Sequence, residues 1–311
     1  MEKIRIACGN RGVGTSPLFA AVEGGYMKDN GLDPELKFYE GHPRALPALV
    51  AGEAEFTNTV SPDVITIDLR DDDADVVIVA SAVSRSATYV TARPGLTTRE
   101  ELRGKRWGVL ARGDADHCTI AMAFERWGWD LDADARIVPV GAGGPKLDLL
   151  LDSAKVDVVI MHSPEPFQAA KRGWNLVEDL RRLDVAFQNS CAATTRRFAR
   201  SRPDVVLRYV RAYAQGVYRF RADGKFGIEV IRKYSGETDR EILEASYLYF
   251  SQLMAGTMYP TPEGVTAAAR MLHRLGVIPR VPAPWDFIDQ EPVAQLHREG
   301  FFRRLTGLES Q

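Results

Sequence analysis

The stretch YEGHPRALPALVAGEAEF, residues Tyr39–Phe56, predicts which kind of fold this chain adopts. An extended run ends at Glu40–Gly41, and Pro43 follows in the first turn of the next segment, where a helix tolerates proline. That segment is rich in small helix-forming residues and ends at Gly52, a residue type that favours helix ends. The stretch therefore predicts a strand, a loop that contains His42, and a helix. Units of this kind repeat along the chain in α/β proteins.

The same alternation extends in both directions and predicts an α/β fold with mixed sheets flanked by helices. Strands of a first unit are predicted over residues 3–9, 35–41, 55–60, 75–83 and 86–95. From Leu96 the alternation restarts, with a helix predicted in GGPKLDLLLDSAKV, 143–156, and a strand ending at His162. AFQNSCAATT, 186–195, predicts a strand that returns to the first unit, and the rest of the chain is mostly helical.

Composition and charge exclude several classes of protein. The 311 residues are 45% hydrophobic and 26% charged, as in an ordinary globular protein, and length predicts about two domains. A formal net charge of -2 with no basic cluster argues against a nucleic-acid partner. No apolar run approaches the roughly 18 residues of a membrane span, so membrane insertion is not expected.

The cysteines and the N-terminus bear on the compartment. Cys8, Cys118 and Cys191 form no CxxC pair and predict no disulfide framework. The sequence enters a strand directly after Met1 without a secretory leader. The expectation is a cytoplasmic protein as written, or a periplasmic one if a leader has been removed.

Three segments resemble a known family. PLFAAVEGGYMKDNGLDPELKFYEG (17–41), ALPALVAGEAEF (45–56) and TTREELRGKRWGVL (97–110) are similar to the substrate-binding proteins of nitrate-, sulfonate- and taurine-type importers. The resemblance covers about residues 4–304 and implies the type II periplasmic-binding fold. It implies one lobe of residues 1–93 and 190–311, a second lobe of 94–189, and hinge closure over a small ligand. An ABC permease would be a partner only if the chain is exported.

The resemblance also leaves room for an enzyme. The same superfamily is similar to thiamine-pyrimidine synthases and includes aromatic decarboxylases, and a shared fold does not fix the activity. The cysteine-rich loop of the synthases is missing, which argues against their reaction. GNRGVGTS (9–16) lacks both the GxGxxG spacing and the P-loop lysine, which argues against a nucleotide.

In this fold the ligand cleft is lined by loops that follow strands and precede helices. Helix N-termini there offer free N–H groups and the positive end of the helix dipole, which suit a carboxylate or sulfonate. The candidate ligand-binding residues are Asn10, Thr15, Ser16, Gly41, His42, Thr59, Ser61, Arg85, Asp116, His117, His162 and Ser163.

Three of the five histidines, His42, His117 and His162, follow predicted strands. These histidines could bind an acidic ligand, could act as acid/base groups or metal ligands, or could have a purely structural role. No helical i, i+3 or i, i+4 spacing fixes a metal geometry, so no cofactor is expected, although a divalent metal is possible. A nucleophilic Cys118 paired with His117 is disfavoured, since adjacent helical residues do not face one another.

The leading interpretation is a protein that binds a small anionic organic molecule (a carboxylate, sulfonate or aromatic acid) by hinge closure. The alternative is a lyase or decarboxylase of an aromatic or heteroaromatic acid. In that case His42, His117 or His162 would be acid/base groups or metal ligands. Glu165 would be their partner carboxylate, facing Arg85 or Arg44.

Overall fold

Two five-stranded sheets carry the fold of the computed structural model, which describes residues 1–70, 74–140 and 155–306. The strands are β1 Glu2–Cys8, β2 Leu32–Phe38, β3 Phe56–Thr59, β4 Val76–Arg85, β5 Thr88–Ala92, β6 Lys105–Val109, β7 Ala135–Pro139, β8 Val158–His162, β9 Asn175–Asp179 and β10 Ala186–Thr195. The first sheet has the order β2–β1–β3–β10–β4 and the second β7–β6–β8–β5–β9. Both sheets are mixed, as predicted, because β10 and β5 each run antiparallel to their neighbours.

Helices cover these sheets. In the first half of the chain they are α1 Ser16–Glu23, α2 Tyr26–Asp29, α3 His42–Val50, α4 Ser61–Arg70, α5 Ala115–Trp127, α6 Leu131–Asp134 and α7 Glu165–Lys171. The later ones are α8 Arg196–Ser201, α9 Pro203–Ala222, α10 Gly224–Ser235, α11 Arg240–Ser251, α12 Pro262–Arg274, α13 Glu291–Arg298 and α14 Phe301–Leu305. Most of the helix predicted over 143–156 lies outside the described residues.

The chain crosses between the sheets twice, once from β4 to β5 and once from β9 to β10. β5 pairs with β8 and β9 in the second sheet, and β10 pairs with β3 and β4 in the first. The first crossing lies between Arg85 and Thr88 and the second between Asp179 and Ala186. Each crossing is therefore a few residues before the corresponding lobe boundary predicted from the sequence, after residue 93 and after residue 189. The precise lobe boundaries stay a prediction.

The register of the first sheet brings three loops together. β1 is parallel to both neighbours, and Cys8 lies opposite Phe38 of β2 and Asn58 of β3. The carboxyl ends of all three strands consequently lie at one edge, where the loops into α1, α3 and α4 begin. Loops at this edge are where open α/β sheets bind ligands.

Aromatic packing fixes the helices that support this edge. Phe56 of β3 stacks on Tyr209 of α9 with ring centroids 3.8 Å apart. One turn further along α9, the hydroxyl of buried Tyr213 donates to Asn58 Oδ1 at 3.2 Å. In the second sheet, buried Trp107 of β6 packs edge-on against Phe124 at 5.1 Å and so holds α5 in place.

The contact between α9 and α1 gives a test of the packing. A Cβ added at Gly216 would lie 2.4 Å from the backbone N of Ala21 and 2.6 Å from its Cα. Helix propensity alone favours alanine over glycine by about 1 kcal/mol, but a clash with backbone of this severity outweighs it. We expect Gly216→Ala to lower the free energy of unfolding by about 1–2 kcal/mol in urea denaturation.

Gly256→Ala is the matched control, because no atom lies within 4 Å of its added Cβ. It should leave the free energy of unfolding within about 0.5 kcal/mol of wild type. Equal stability of the two variants would show that α1 and α9 are not in the described contact.

Candidate ligand-binding cleft

The side chain of Asn10 joins the starts of two helices. Its Nδ2 lies 3.0 Å from Nε2 of His42, the first residue of α3. Its Oδ1 accepts hydrogen bonds from Gly12 N and from Oγ1 of Thr15, both at 2.9 Å, and Thr15 precedes α1. The loop after β1 therefore fixes the N-termini of α1 and α3 relative to each other.

Two glycines let α3 approach the end of β1. A Cβ on Gly9 would come within 2.7 Å of the backbone N of His42 and 2.8 Å of its Nδ1. Gly41 has a φ of +90°, which strains other residues, and it donates from its N–H to Gly9 O at 2.8 Å. His42 is thus packed against the backbone of Gly9, while the Asn10 side chain contacts its ring.

The imidazole of His42 is neutral near pH 7. Burial, with a smaller contribution from nearby His162, lowers its pKa to about 4. Because Asn10 Nδ2 is a donor, His42 Nε2 accepts and Nδ1 carries the proton. Nδ1 is buried, and its N–H faces the Asn58 backbone, which acts to raise the pKa of His42 against the larger effect of burial.

The second lobe contributes an Asp–His pair. Nε2 of His162, the last residue of β8, lies 2.9 Å from Oδ1 of Asp116 in the first turn of α5. Asp116 is only 4% exposed, whereas the His162 side chain is 44% exposed. His162 is also close enough to His42 to affect its charge. The structure therefore brings His42, His162 and Asp116 into one region from both lobes.

His117 points elsewhere. Its Nδ1 accepts a hydrogen bond from Gly113 N at 2.9 Å, which closes the loop before α5. Burial and the charge of Arg112 lower the pKa of His117 to about 4. No described contact joins it to His42 or His162. Burial also raises the pKa of the neighbouring Cys118 thiol well above its usual value, so that thiol is a poor nucleophile.

Several predicted hydroxyls are buried at the same edge. Oγ1 of Thr59, Oγ of Ser61 and Oγ of Ser163 have no hydrogen-bond partner among the described residues. Thr59 and Ser61 are fully buried and Ser163 is 5% exposed. An unpaired buried polar atom is unfavourable, so these hydroxyls indicate a place where a ligand or water binds.

The two lobes touch at this point. Val13 N donates to the carbonyl oxygen of Ser163 at 3.3 Å, which connects the loop after β1 to the loop after β8. Ser16 is also buried, at the start of α1. This contact closes one side of the cleft.

Arg85 and Arg44, which the sequence places opposite Glu165, each form an ion pair with another carboxylate. Arg85 forms an ion pair with Asp184 at 2.7 Å, and Arg44 pairs with Glu40 at 3.3 Å. Glu165 begins α7, and neither arginine lies against it. Arg44 is paired within its own loop, whereas the Arg85 ion pair joins the two crossings between the sheets, a long-range contact that the sequence did not reveal.

Asp63, in the first turn of α4, is half-buried and was not among the residues singled out from the sequence. Burial, with the carboxylates of Asp114 and Asp116, raises its pKa to about 7. A first-turn acid normally stabilises the helix dipole at the surface, so sequence alone gave no signal for this carboxyl. Perturbed titration of this kind is typical of functional sites.

No metal site is evident. Among residues 1–70, 74–140 and 155–306, no group of three or more His, Cys, Asp and Glu side chains is arranged to hold an ion. A separate cavity of about 450 Å³ lies at the opposite edge of the first sheet, lined in part by Arg196, Arg280 and Trp285.

Comparison with known proteins places the chain in a family. The sequence model of the NMT1/THI5-like family matches residues 14–223, more than half of the chain. The chain belongs to this family. No curated protein matches it. Within the described residues, no helix is both long and apolar enough to cross a membrane.

Solved structures confirm the two-lobed periplasmic-binding fold. The ligand-binding component of an ABC-type import system from Staphylococcus aureus, solved with zinc bound, has a TM-score of 0.78 at 12% identity, with 95% of this chain and 99% of that chain covered. The alkanesulfonate-binding protein SsuA from Xanthomonas axonopodis pv. citri, bound to MOPS, has a TM-score of 0.77 at 14% identity, with 93% and 99% covered. The desulfurization enzyme DSZB has a TM-score of 0.68 at 16% identity, with 96% and 100% covered. The predicted resemblance to sulfonate-binding proteins is thereby confirmed at the level of the fold.

The raised pKa of Asp63 predicts how stability depends on pH. The carboxyl titrates near 3.8 when unfolded and near 7 when folded, so the folded state binds its proton more tightly between these values. The contribution of Asp63 to stability therefore falls as pH rises across that window. Relative to wild type, Asp63→Asn should gain about 2–3 kcal/mol in free energy of unfolding between about pH 5 and pH 8.

Urea denaturation at both pH values measures this difference. Glu263→Gln is the control, because Glu263 also lies in a helix first turn but is exposed. A difference between Asp63→Asn and wild type that stays constant with pH would show that folding does not raise the pKa of Asp63.

Proposed function

We propose that this chain binds a small organic acid, such as a carboxylate, sulfonate or aromatic acid, in the cleft between its lobes. The observation that carries the proposal is the set of unpaired buried hydroxyls on Thr59, Ser61 and Ser163. They come from both lobes and from two chain segments, the loop after β3 and the loop after β8, and the hydrogen bond from Val13 N to the Ser163 carbonyl joins the second of these loops to the edge of the first sheet.

The helices at this edge favour an acid group. Among the described helices of eight or more residues, only α1 and α3 have neither a side-chain cap nor an acidic residue in the first turn. Their positive dipole ends are therefore uncompensated. Asn10 holds both helix ends together beside His42. An acid group placed there would accept hydrogen bonds from the unpaired hydroxyls and would face both dipoles.

Closure would then follow from ligand contacts with both lobes. Thr59 and Ser61 belong to the first sheet's edge, and Ser163 and His162 to the second's. A ligand that bonds to both sets stabilises the closed form by its differential affinity for that form. The hydrogen bond from Val13 N to the Ser163 carbonyl joins the two lobes directly, so this part of the contact between the lobes does not need the ligand.

A second candidate function is acid/base catalysis, and one observation favours it. Asp116 orients His162 through a 2.9 Å contact, and the His162 ring remains partly exposed to the cleft. An imidazole oriented in this way can take a proton from a bound acid or return one, as a lyase or decarboxylase requires. The scaffold itself is compatible with catalysis, because the desulfurization enzyme DSZB shares it.

A hydroxyl deletion tests the binding proposal. Thr59→Val keeps the shape of the side chain and removes Oγ1, so it should weaken binding of an organic acid by about tenfold through loss of one hydrogen bond. Isothermal titration calorimetry with benzoate, butyrate and ethanesulfonate, each beside its amino derivative, measures this effect. Product analysis of the same mixtures shows whether any acid is consumed, which would favour the catalytic candidate.

Thr91→Val is the matched control. Oγ1 of Thr91 is likewise buried and unpaired, but it lies within β5, three residues from the end of that strand beside the cleft. This variant should bind as wild type does. Equal losses in both variants would mean that Thr59 acts through stability and not through the ligand.

A further inference from the structure

Helix α11 of the first lobe lies along the second lobe. Its N-terminal end, with the residues just before it, contacts α7, and its C-terminal end contacts the segments in which the chain crosses between the sheets. A helix of 12 residues is about 18 Å long, so these contacts are well separated. One point of contact would let the lobes rotate about it, whereas two separated contacts oppose that rotation.

Tyr249 makes the contact at the C-terminal end of α11. Its buried hydroxyl donates to the carbonyl oxygen of Thr88 at 3.1 Å and is also 3.3 Å from Asp179 Oδ1. Thr88 follows the first crossing and Asp179 precedes the second. The Arg181 guanidinium lies 3.8 Å from the centre of the Tyr249 ring and donates to the Tyr249 carbonyl at 3.2 Å. One tyrosine of the first lobe therefore holds both crossing segments.

Charged and amide groups make the contact at the N-terminal end of α11. Nζ of Lys171, the last residue of α7, lies 2.5 Å from Asp239 Oδ2 and 2.8 Å from Glu241 Oε2. Gln168 Nε2, on the same side of α7, donates to Glu237 Oε2 at 2.6 Å. A single exposed ion pair stabilises little, but here one ammonium group meets two carboxylates beside a further hydrogen bond. The end of α7 is thereby attached to the first lobe.

Aromatic rings fill the space between these two contacts. The ring centroid of Tyr249 lies 4.7 Å from that of Tyr89 on β5 and 6.2 Å from that of Phe167 on α7, distances at which aromatic pairs attract. Because α7 begins directly after the loop of His162 and Ser163, its position fixes one wall of the cleft. None of these contacts uses the unpaired hydroxyls, so they form independently of a ligand.

We propose that α11 is the positioning element of the cleft, which holds the second lobe closed against the first before a ligand binds. This inference rests on the proposed function, because it concerns the two walls of the same cleft. The ligand's own contacts with both lobes then add to a closed form that is already favoured. Since the apparent affinity scales with the fraction of closed molecules, residues of α7 and α11 that never touch the ligand affect how tightly it binds.

The distance between two spin labels measures the separation of the lobes. Glu35→Cys on β2 and Arg136→Cys on β7 put the labels at exposed positions on the two edge strands that lie opposite the crossing strands in each sheet. The three native cysteines are buried and stay unlabelled. Double electron–electron resonance should give a single distance for the doubly labelled protein without ligand. The tightest-binding acid of the calorimetric series should leave that distance unchanged.

A double variant tests the role of α11. Tyr249→Phe with Lys171→Met removes the hydroxyl at one end of the contact and the ammonium group at the other. This variant should add a second, longer distance in the absence of ligand. It should also weaken binding of the acid by about threefold or more, because fewer molecules are closed.

Tyr247→Phe with Lys233→Met is the matched control. The Tyr247 hydroxyl donates to the Arg221 carbonyl at 3.1 Å, and Lys233 Nζ lies 2.7 Å from Glu23 Oε2, so both groups act within the first lobe. The control should keep the wild-type distance and affinity. Equal changes in both double variants would show that the loss of these groups acts through stability and not through the position of the second lobe.

The contrary outcomes are distinct. A longer distance in wild type that shortens when the acid binds would show that the lobes stay open until the ligand closes them, and would overturn the proposal. The same holds if Tyr249→Phe with Lys171→Met keeps both the wild-type distance and the wild-type affinity. If wild type binds none of the six acids, the proposed function is wrong, whereas the distances without ligand still test the role of α11. Urea denaturation shows in each case that the variants are folded.

Discussion

The hydrogen bonds of Asn10 are the interaction on which the described cleft depends most. They connect the N-terminus of α1, through Thr15, to the N-terminus of α3, through His42. This connection is possible because β1 and β2 end side by side and because Gly9 has no Cβ to keep α3 away. Two positive helix ends are thereby held together, which is unfavourable unless a negative group lies near them.

The second lobe completes the cleft with groups of the opposite character. Trp107 and Phe124 hold α5 on its sheet, and the first turn of α5 then presents Asp116 towards His162. The raised pKa of Asp63 reflects its partial burial and the carboxylates of Asp114 and Asp116 at the start of α5.

Much of the architecture of the cleft could be predicted from the sequence, because it depends on the local order of strands, loops and helices. The strand–loop–helix joint at Tyr39–Phe56 appears as β2, α3 and β3, and His42 and His162 lie at the cleft because each follows a strand. His117 also follows a strand, but neighbouring helical residues point about 100° apart, and its ring turns to Gly113. The raised pKa of Asp63 depends in part on Asp114 and Asp116, about fifty positions away, and no local sequence pattern shows such a long-range effect.

The central claim is that an organic acid binds where the loops after β1, β2, β3 and β8 meet. Hydrogen–deuterium exchange with and without the tightest-binding of the six acids tests it directly. The account predicts slower exchange in residues 9–16, 41–45, 59–64 and 162–165. Protection confined to the cavity beside Arg196, Arg280 and Trp285, with the four loops unchanged, would contradict it.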